Sequence, residues 1–145
     1  MVVLELVSNL NCSGDAAWHV LADFGDFLPW ATGGAGTVSL EGEGLGMIRH
    51  LDIPGLGQVS EQLDLLDDVD RILGYAMVSE AMAGMANYSA SVQVFSVGEQ
   101  HCRLQWRGRF KPLPDLDSDE VKNSLATSYK TMAQGLEAFV NARSS

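Results

Sequence analysis

Residues 117–140 read "DSDEVKNSLATSYKTMAQGLEAFV", and their hydrophobic period decides the fold class. Apolar side chains recur at Val121, Leu125, Tyr129, Met132, Leu136, Phe139 and Val140, the spacing of one helix face. Asp117 followed by Glu120 has the spacing of a capping box, and Asp119 adds negative charge where the helix dipole favours it. Pro112 and Pro114 break the segment before it. The spacing therefore predicts an amphipathic helix of about six turns. One apolar face of that length needs a broad apolar surface to lie on.

That surface is legible upstream, where the period changes to two. Runs at 37–41, 47–53, 59–66, 71–78, 88–97 and 102–110 read as strands bounded by turn residues. "GEGLG" has the composition of a hairpin loop, and "DDVD" and "GEQ" are short connections. "SEAMAGMAN" is longer, with Met82 and Met85 inside it and Met77 just before; it suits either a mobile lid or an ordinary covering loop. Residues 1–9 form a further strand. Ser13 or Asp15 can cap a helix to about Phe24, and Pro29 limits "GDFLPWATG" to a short helix or turn. The expected architecture is α+β: a seven-stranded curved antiparallel sheet wrapped around the long C-terminal helix, with two short helices after the first strand. A twisted sheet curves, so a straight helix touches its rims better than its middle. An internal cavity between the two is expected.

One residue resists this pattern. In "GLGQVSEQLDLLDD", residues 55–68, Glu61 shares a strand face with Val59, Leu63 and Leu65. A carboxylate on an apolar face needs a partner, a wetted cavity or a shifted pKa.

Composition narrows the function classes. The 145 residues are enough for one domain, 1–145, with its own core. Nine Lys plus Arg against nineteen Asp plus Glu give a net charge of -10, which repels nucleic acid and anionic lipid. No apolar run reaches the length of a membrane helix, so no membrane insertion is expected. Residues 1–10 lack a basic leader, which favours a cytoplasmic location. Cys12 and Cys102 have no zinc or CxxC spacing and read as free thiols, which pairing of the first and last strands would bring close in space. His19, His50 and His101 lie far apart, so no metal site is expected. No cofactor motif and no GxSxG nucleophile is present. The "EGEGLGM" glycines lack the Lys-Ser/Thr and the helix of a phosphate loop.

Four stretches carry a family resemblance: "AAWHVLADFGDFLPW", "GLGMIRHLDIPGLGQVSEQLDLLDDVDRILGYAMV", "ANYSASVQV" and "CRLQWRGRF". In order and spacing they resemble the START-like superfamily with the helix-grip fold. That group includes bacterial polyketide cyclase/dehydrase-type proteins, the birch-pollen allergen group and the plant abscisic-acid receptors. The resemblance implies a small hydrophobic ligand held between sheet and long helix. It carries the receptors' cavity glutamate onto Glu61, their cavity tyrosine onto Tyr88 and an arginine onto Arg49. An Arg49–Glu61 pair inside the cup would resolve the anomaly. The receptors' gate resembles "PGLGQ" but is shorter here, their latch side chains are missing from "AMAGMAN", and no lysine lies between Thr37 and Gly46. Ala90 stands where a serine follows the cavity tyrosine. Abscisic acid is therefore not the expected ligand.

The expected cavity wall comprises Leu51, Ile53, Leu63, Tyr75, Val92 and Trp106 from the strands, with Ser128 and Met132 from the helix. Arg49, Glu61 and Tyr88 would be its polar contacts, although Glu61 could equally be a structural partner of Arg49. Trp30, after Pro29, is either a ligand contact at the mouth or a hydrophobic plug. The sequence thus supports binding of a small hydrophobic or aromatic molecule (lipid, polyketide or isoprenoid-like) by a monomer or homodimer. An alternative is a cyclase/dehydrase-type enzyme in which Glu61 is the general acid or base and Tyr88 polarises a carbonyl. Arg103, Arg107, Arg109 and Lys111 share the outer face of the last strand. They pair with neighbouring carboxylates, Glu5 among them, or form a docking surface.

Overall fold

A computed structural model describes residues 1–143. The elements run β1 (Val2–Leu10), α1 (Gly14–Ala22), α2 (Leu28–Ala31), β2 (Thr37–Glu41), β3 (Ile48–Ile53), β4 (Gly57–Asp67), β5 (Ile72–Met77), β6 (Met85–Ser96), β7 (Cys102–Pro112) and α3 (Ser118–Arg143). All seven strands join one antiparallel sheet in the order β1-β7-β6-β5-β4-β3-β2. Every neighbour except β1–β7 is thus a sequential hairpin, and β1 returns to pair with the last strand. Helix α3 packs on β1 and β7 and against α1 and α2. No helix among the described residues is long and apolar enough to cross a membrane.

Local chemistry fixes the helix ends. Ser13 caps α1 by accepting from the Ala16 amide, and Asp117 accepts from the Asp119 amide at the start of α3. Pro29 sits in the first turn of α2, where its missing N–H would have no intrahelical partner. The buried side of α3 is Val121, Leu125, Tyr129, Ala133, Leu136 and Val140, with Met132 and Phe139 half-buried beside it.

Two bulges bend the sheet. In β6 the register shifts between Ala86 and Ser89, and Asn87 takes a positive φ of 54°. That shift lets Met85 and Tyr88 both face inward, so β6 begins three residues earlier than period two indicates. In β4 the register shifts between Leu63 and Leu65. Val59, Glu61 and Leu63 are buried as expected, but Leu65 is turned out and 43% exposed, and Leu66 packs inward instead. Leu65 therefore does not share the face of Glu61. Helix α1 also stops at Ala22 rather than Phe24, and this frees the Phe24 carbonyl for the contact described next.

On the outer face Glu5 lies opposite Arg107 in the β1–β7 register and forms an ion pair with it, with Arg107 Nε donating to Glu5 Oε1 at 2.7 Å. Pairing of β1 with β7 also brings Cys12 and Cys102 together as buried free thiols close enough to hydrogen bond. Burial pushes the Cys102 thiol up to about 12.

Candidate functional site

Arg49 and Glu61 stand opposite each other in the β3–β4 register, both pointing inward. Arg49 Nε donates to Glu61 Oε1 at 2.9 Å, and Nη2 lies 2.7 Å from the same oxygen. Nη1 donates to the Phe24 carbonyl at 3.1 Å. The guanidinium carbon lies 3.9 Å from the centroid of the Phe24 ring and 4.0 Å from that of Phe27. Arg49 is thus enclosed by an anion, a carbonyl and two π-faces, the set of partners a buried guanidinium needs. Both of its contacts to Glu61 converge on Oε1. Glu61 Oε2 takes neither, although the residue is only 6% exposed.

Beside the pair lies a cavity of about 600 Å³ between β3–β6, the β3–β4 and β5–β6 loops, and α3. A space of that size accommodates a drug-sized molecule. Its apolar wall includes Leu51, Ile53, Val59, Met85 and Leu125, and the loops add Leu56, Met82 and Ala83. Ser124, Ser128 and Thr131 line its α3 side and are themselves solvent-exposed, so they form a hydroxylated rim. Glu61 is the only charged side chain on the wall among the described residues.

Three phenols complete the polar lining. The Tyr88 hydroxyl lies 2.6 Å from that of Tyr129 and 3.3 Å from that of Tyr75. Two contacts among three hydroxyls use two protons, so one phenolic O–H remains for a further acceptor. Burial, with the nearby Glu61 charge second, raises Tyr75 to about 12. Burial also raises Tyr88 and Tyr129 well above the ordinary phenol value. All three stay neutral donors at physiological pH. The cavity therefore combines an apolar body with one free carboxylate oxygen and one spare hydroxyl proton.

Of the residues expected at the site, Leu51, Ile53, Glu61, Tyr75, Tyr88, Ser128 and Met132 line this cavity. Arg49, Leu63, Val92, Trp106 and Trp30 do not. Phe24, Phe27 and Glu61 intervene between Arg49 and the space. Trp106 lies behind Tyr129, stacked on it with ring centroids 4.7 Å apart. Leu63 and Val92 are closed over within the core. Trp30 is buried, packs edge-on to Phe27 and does not line the cavity.

Sequence reasoning assigned Tyr129 to the helix face and missed its place in the phenol chain. Gly108 was the available signal, because a glycine inside a strand marks a close approach. A Cβ there would lie 2.2 Å from the Tyr129 hydroxyl.

Residues 1–141 match the family model described as polyketide cyclase / dehydrase and lipid transport. No curated protein matches the sequence closely. Among solved structures, Zhui aromatase/cyclase from Streptomyces sp. R1128 superposes with a TM-score of 0.80 at 17% identity, covering 99% of this chain and 96% of that one. The protein XoxI from Bacillus cereus gives 0.80 at 20% identity, with 100% and 99% covered. Norcoclaurine synthase from Thalictrum flavum, in complex with dopamine and hydroxybenzaldehyde, gives 0.77 at 20%, with 97% and 87% covered. These likenesses are to the fold, which hosts unrelated activities. With a match spanning nearly its full length, the chain belongs to the polyketide cyclase / dehydrase and lipid transport family, within the START-like superfamily of helix-grip proteins.

Proposed function

We propose that the chain binds a small hydrophobic or aromatic molecule in the cavity between sheet and α3. One observation carries this reading: a space of about 600 Å³ whose wall is mainly apolar and whose polar groups converge on Glu61 and the tyrosines. That is the usual make-up of a small-molecule site. Thermal denaturation against a panel of lipids, polyketides and isoprenoids tests it. At least one class should raise the Tm, and mass spectrometry of the purified protein should detect a retained molecule. No shift and no retained molecule would end the reading.

A second reading has its own support. Glu61 Oε2 and a phenolic O–H face one space, so a proton can be removed from one substrate atom while a carbonyl is polarised elsewhere. This suits cyclisation, in which the deprotonated carbon adds to the polarised carbonyl, or dehydration, in which the proton removed is returned to the hydroxyl that leaves as water. Glu61→Gln separates the two readings: an enzyme loses turnover while keeping ligand affinity, and a carrier shows no turnover to lose.

A further inference from the structure

The geometry points to a charge rule for the ligand: its polar end is a hydrogen-bond donor, a hydroxyl or an ammonium, and not a carboxylate or other anion. The inference rests on the cavity-binding reading above and narrows it. Among the described residues the only charged group on the wall is an anion, Glu61. Its Oε2 takes neither Arg49 contact and Glu61 lines the cavity, so a donor brought by the ligand can form a charge-assisted hydrogen bond with it.

The neighbouring cation does not offset this. Arg49 directs Nε and Nη2 at Glu61 Oε1 and Nη1 at the Phe24 carbonyl, and two aromatic rings flank its guanidinium. It lies off the cavity wall and presents no free face to a ligand anion. The remaining polar side chains on the wall among the described residues are hydroxyls: Tyr75, Tyr88 and Tyr129 inside, and Thr32, Ser124, Thr127, Ser128 and Thr131 around them. A hydroxyl end can donate to Glu61 and accept the spare phenolic proton. A carboxylate would instead face a second carboxylate at close range, where like charges repel.

Three amphiphiles with one tail and different heads test this: dodecanol, dodecylamine and dodecanoate. Each is titrated in competition with the neutral fluorophore N-phenyl-1-naphthylamine on the wild-type chain at about pH 8, in about 0.15 M and about 0.5 M salt. The higher salt screens repulsion by the acidic surface but not a contact inside the cavity. Dodecanol and dodecylamine should bind, and dodecanoate should be weaker by about tenfold or more at both salts. Glu61→Gln, its fold checked by circular dichroism, should bring dodecanoate to within about threefold of dodecanol. Equal affinity for dodecanol and dodecanoate in the wild type overturns the rule and leaves cavity binding intact. So does discrimination that vanishes at high salt or persists unchanged in a folded Glu61→Gln. If none of the three displaces the fluorophore and none raises the Tm, cavity binding itself fails and the rule falls with it.

Discussion

The inward face of the sheet is continuous, yet its two sides end differently. On the β1–β7 side α3 lies directly on the strands, and Leu104, Phe110, Tyr129 and Leu136 have almost no exposure. On the β3–β5 side the same inward, period-two pattern faces a cavity. Alternation specifies which face is apolar; it does not specify whether a second layer reaches it. What decides is how near the helix can come. Gly108 lets β7 approach the Tyr129 hydroxyl, while the bulges in β4 and β6 carry the other strands around the space.

The largest effect is expected where the hollow side keeps its charge. Arg49→Met leaves Glu61 buried without its cation and should cost about 3–5 kcal/mol in denaturant-measured stability. Adding Glu61→Met should recover much of that loss, because two well-packed apolar groups can replace a buried pair. A cost below about 1 kcal/mol for the single variant would mean the hollow side is effectively solvent, as for a surface pair, and would remove the contrast between the sides.

Alkali acts on the phenol chain that joins the two sides. The folded pKa of Tyr75 is raised to about 12 from an ordinary 10. The unfolded chain therefore binds fewer protons between these values, and stability falls as pH rises through this window. The contribution is complete below about pH 10 and is lost at about 1.4 kcal/mol per pH unit for each such phenol. Tyr88 and Tyr129 are shifted in the same direction. Tyrosinate absorbance should appear together with loss of tertiary circular dichroism. Ionisation of all three phenols in a still-folded chain would show that the hollow side is wetted down to Tyr88.

The long helix, the order of elements along the chain and the inward carboxylate were legible because each is a local pattern: a period, a turn composition, one residue out of phase. Arg49 opposite Glu61 followed from adjacent hairpin strands with inward faces. Leu65 was misread because a bulge reverses parity without a mark in the sequence of its own strand. Gly74 on the partner strand is the relevant feature, where a Cβ would lie 3.0 Å from both Asp64 and Leu65. Trp106 points inward as expected and Trp30, expected at the mouth, is buried; Tyr129 and Phe27 pack against them and neither reaches the cavity. Which of two inward aromatics reaches a cavity depends on packing order across elements, and no single-chain period encodes that.

The smallest effects make the sharpest comparison, because similar insertions should behave oppositely on the two sides. Gly108→Ala adds one methyl group where Tyr129 already fills the space, and should cost about 1–3 kcal/mol by displacing that ring from its stack on Trp106. Val59→Phe adds several carbons on the buried wall beside Glu61, where about 600 Å³ is open. It should change stability by less than about 1 kcal/mol, since the ring finds room without moving a neighbour. The same substitution should weaken binding of the dodecanol probe by occupying part of its volume. Urea denaturation of the two variants side by side decides the matter. If Val59→Phe is as damaging as Gly108→Ala, the β3–β5 side is packed like the other in solution and its cavity is not available to a ligand.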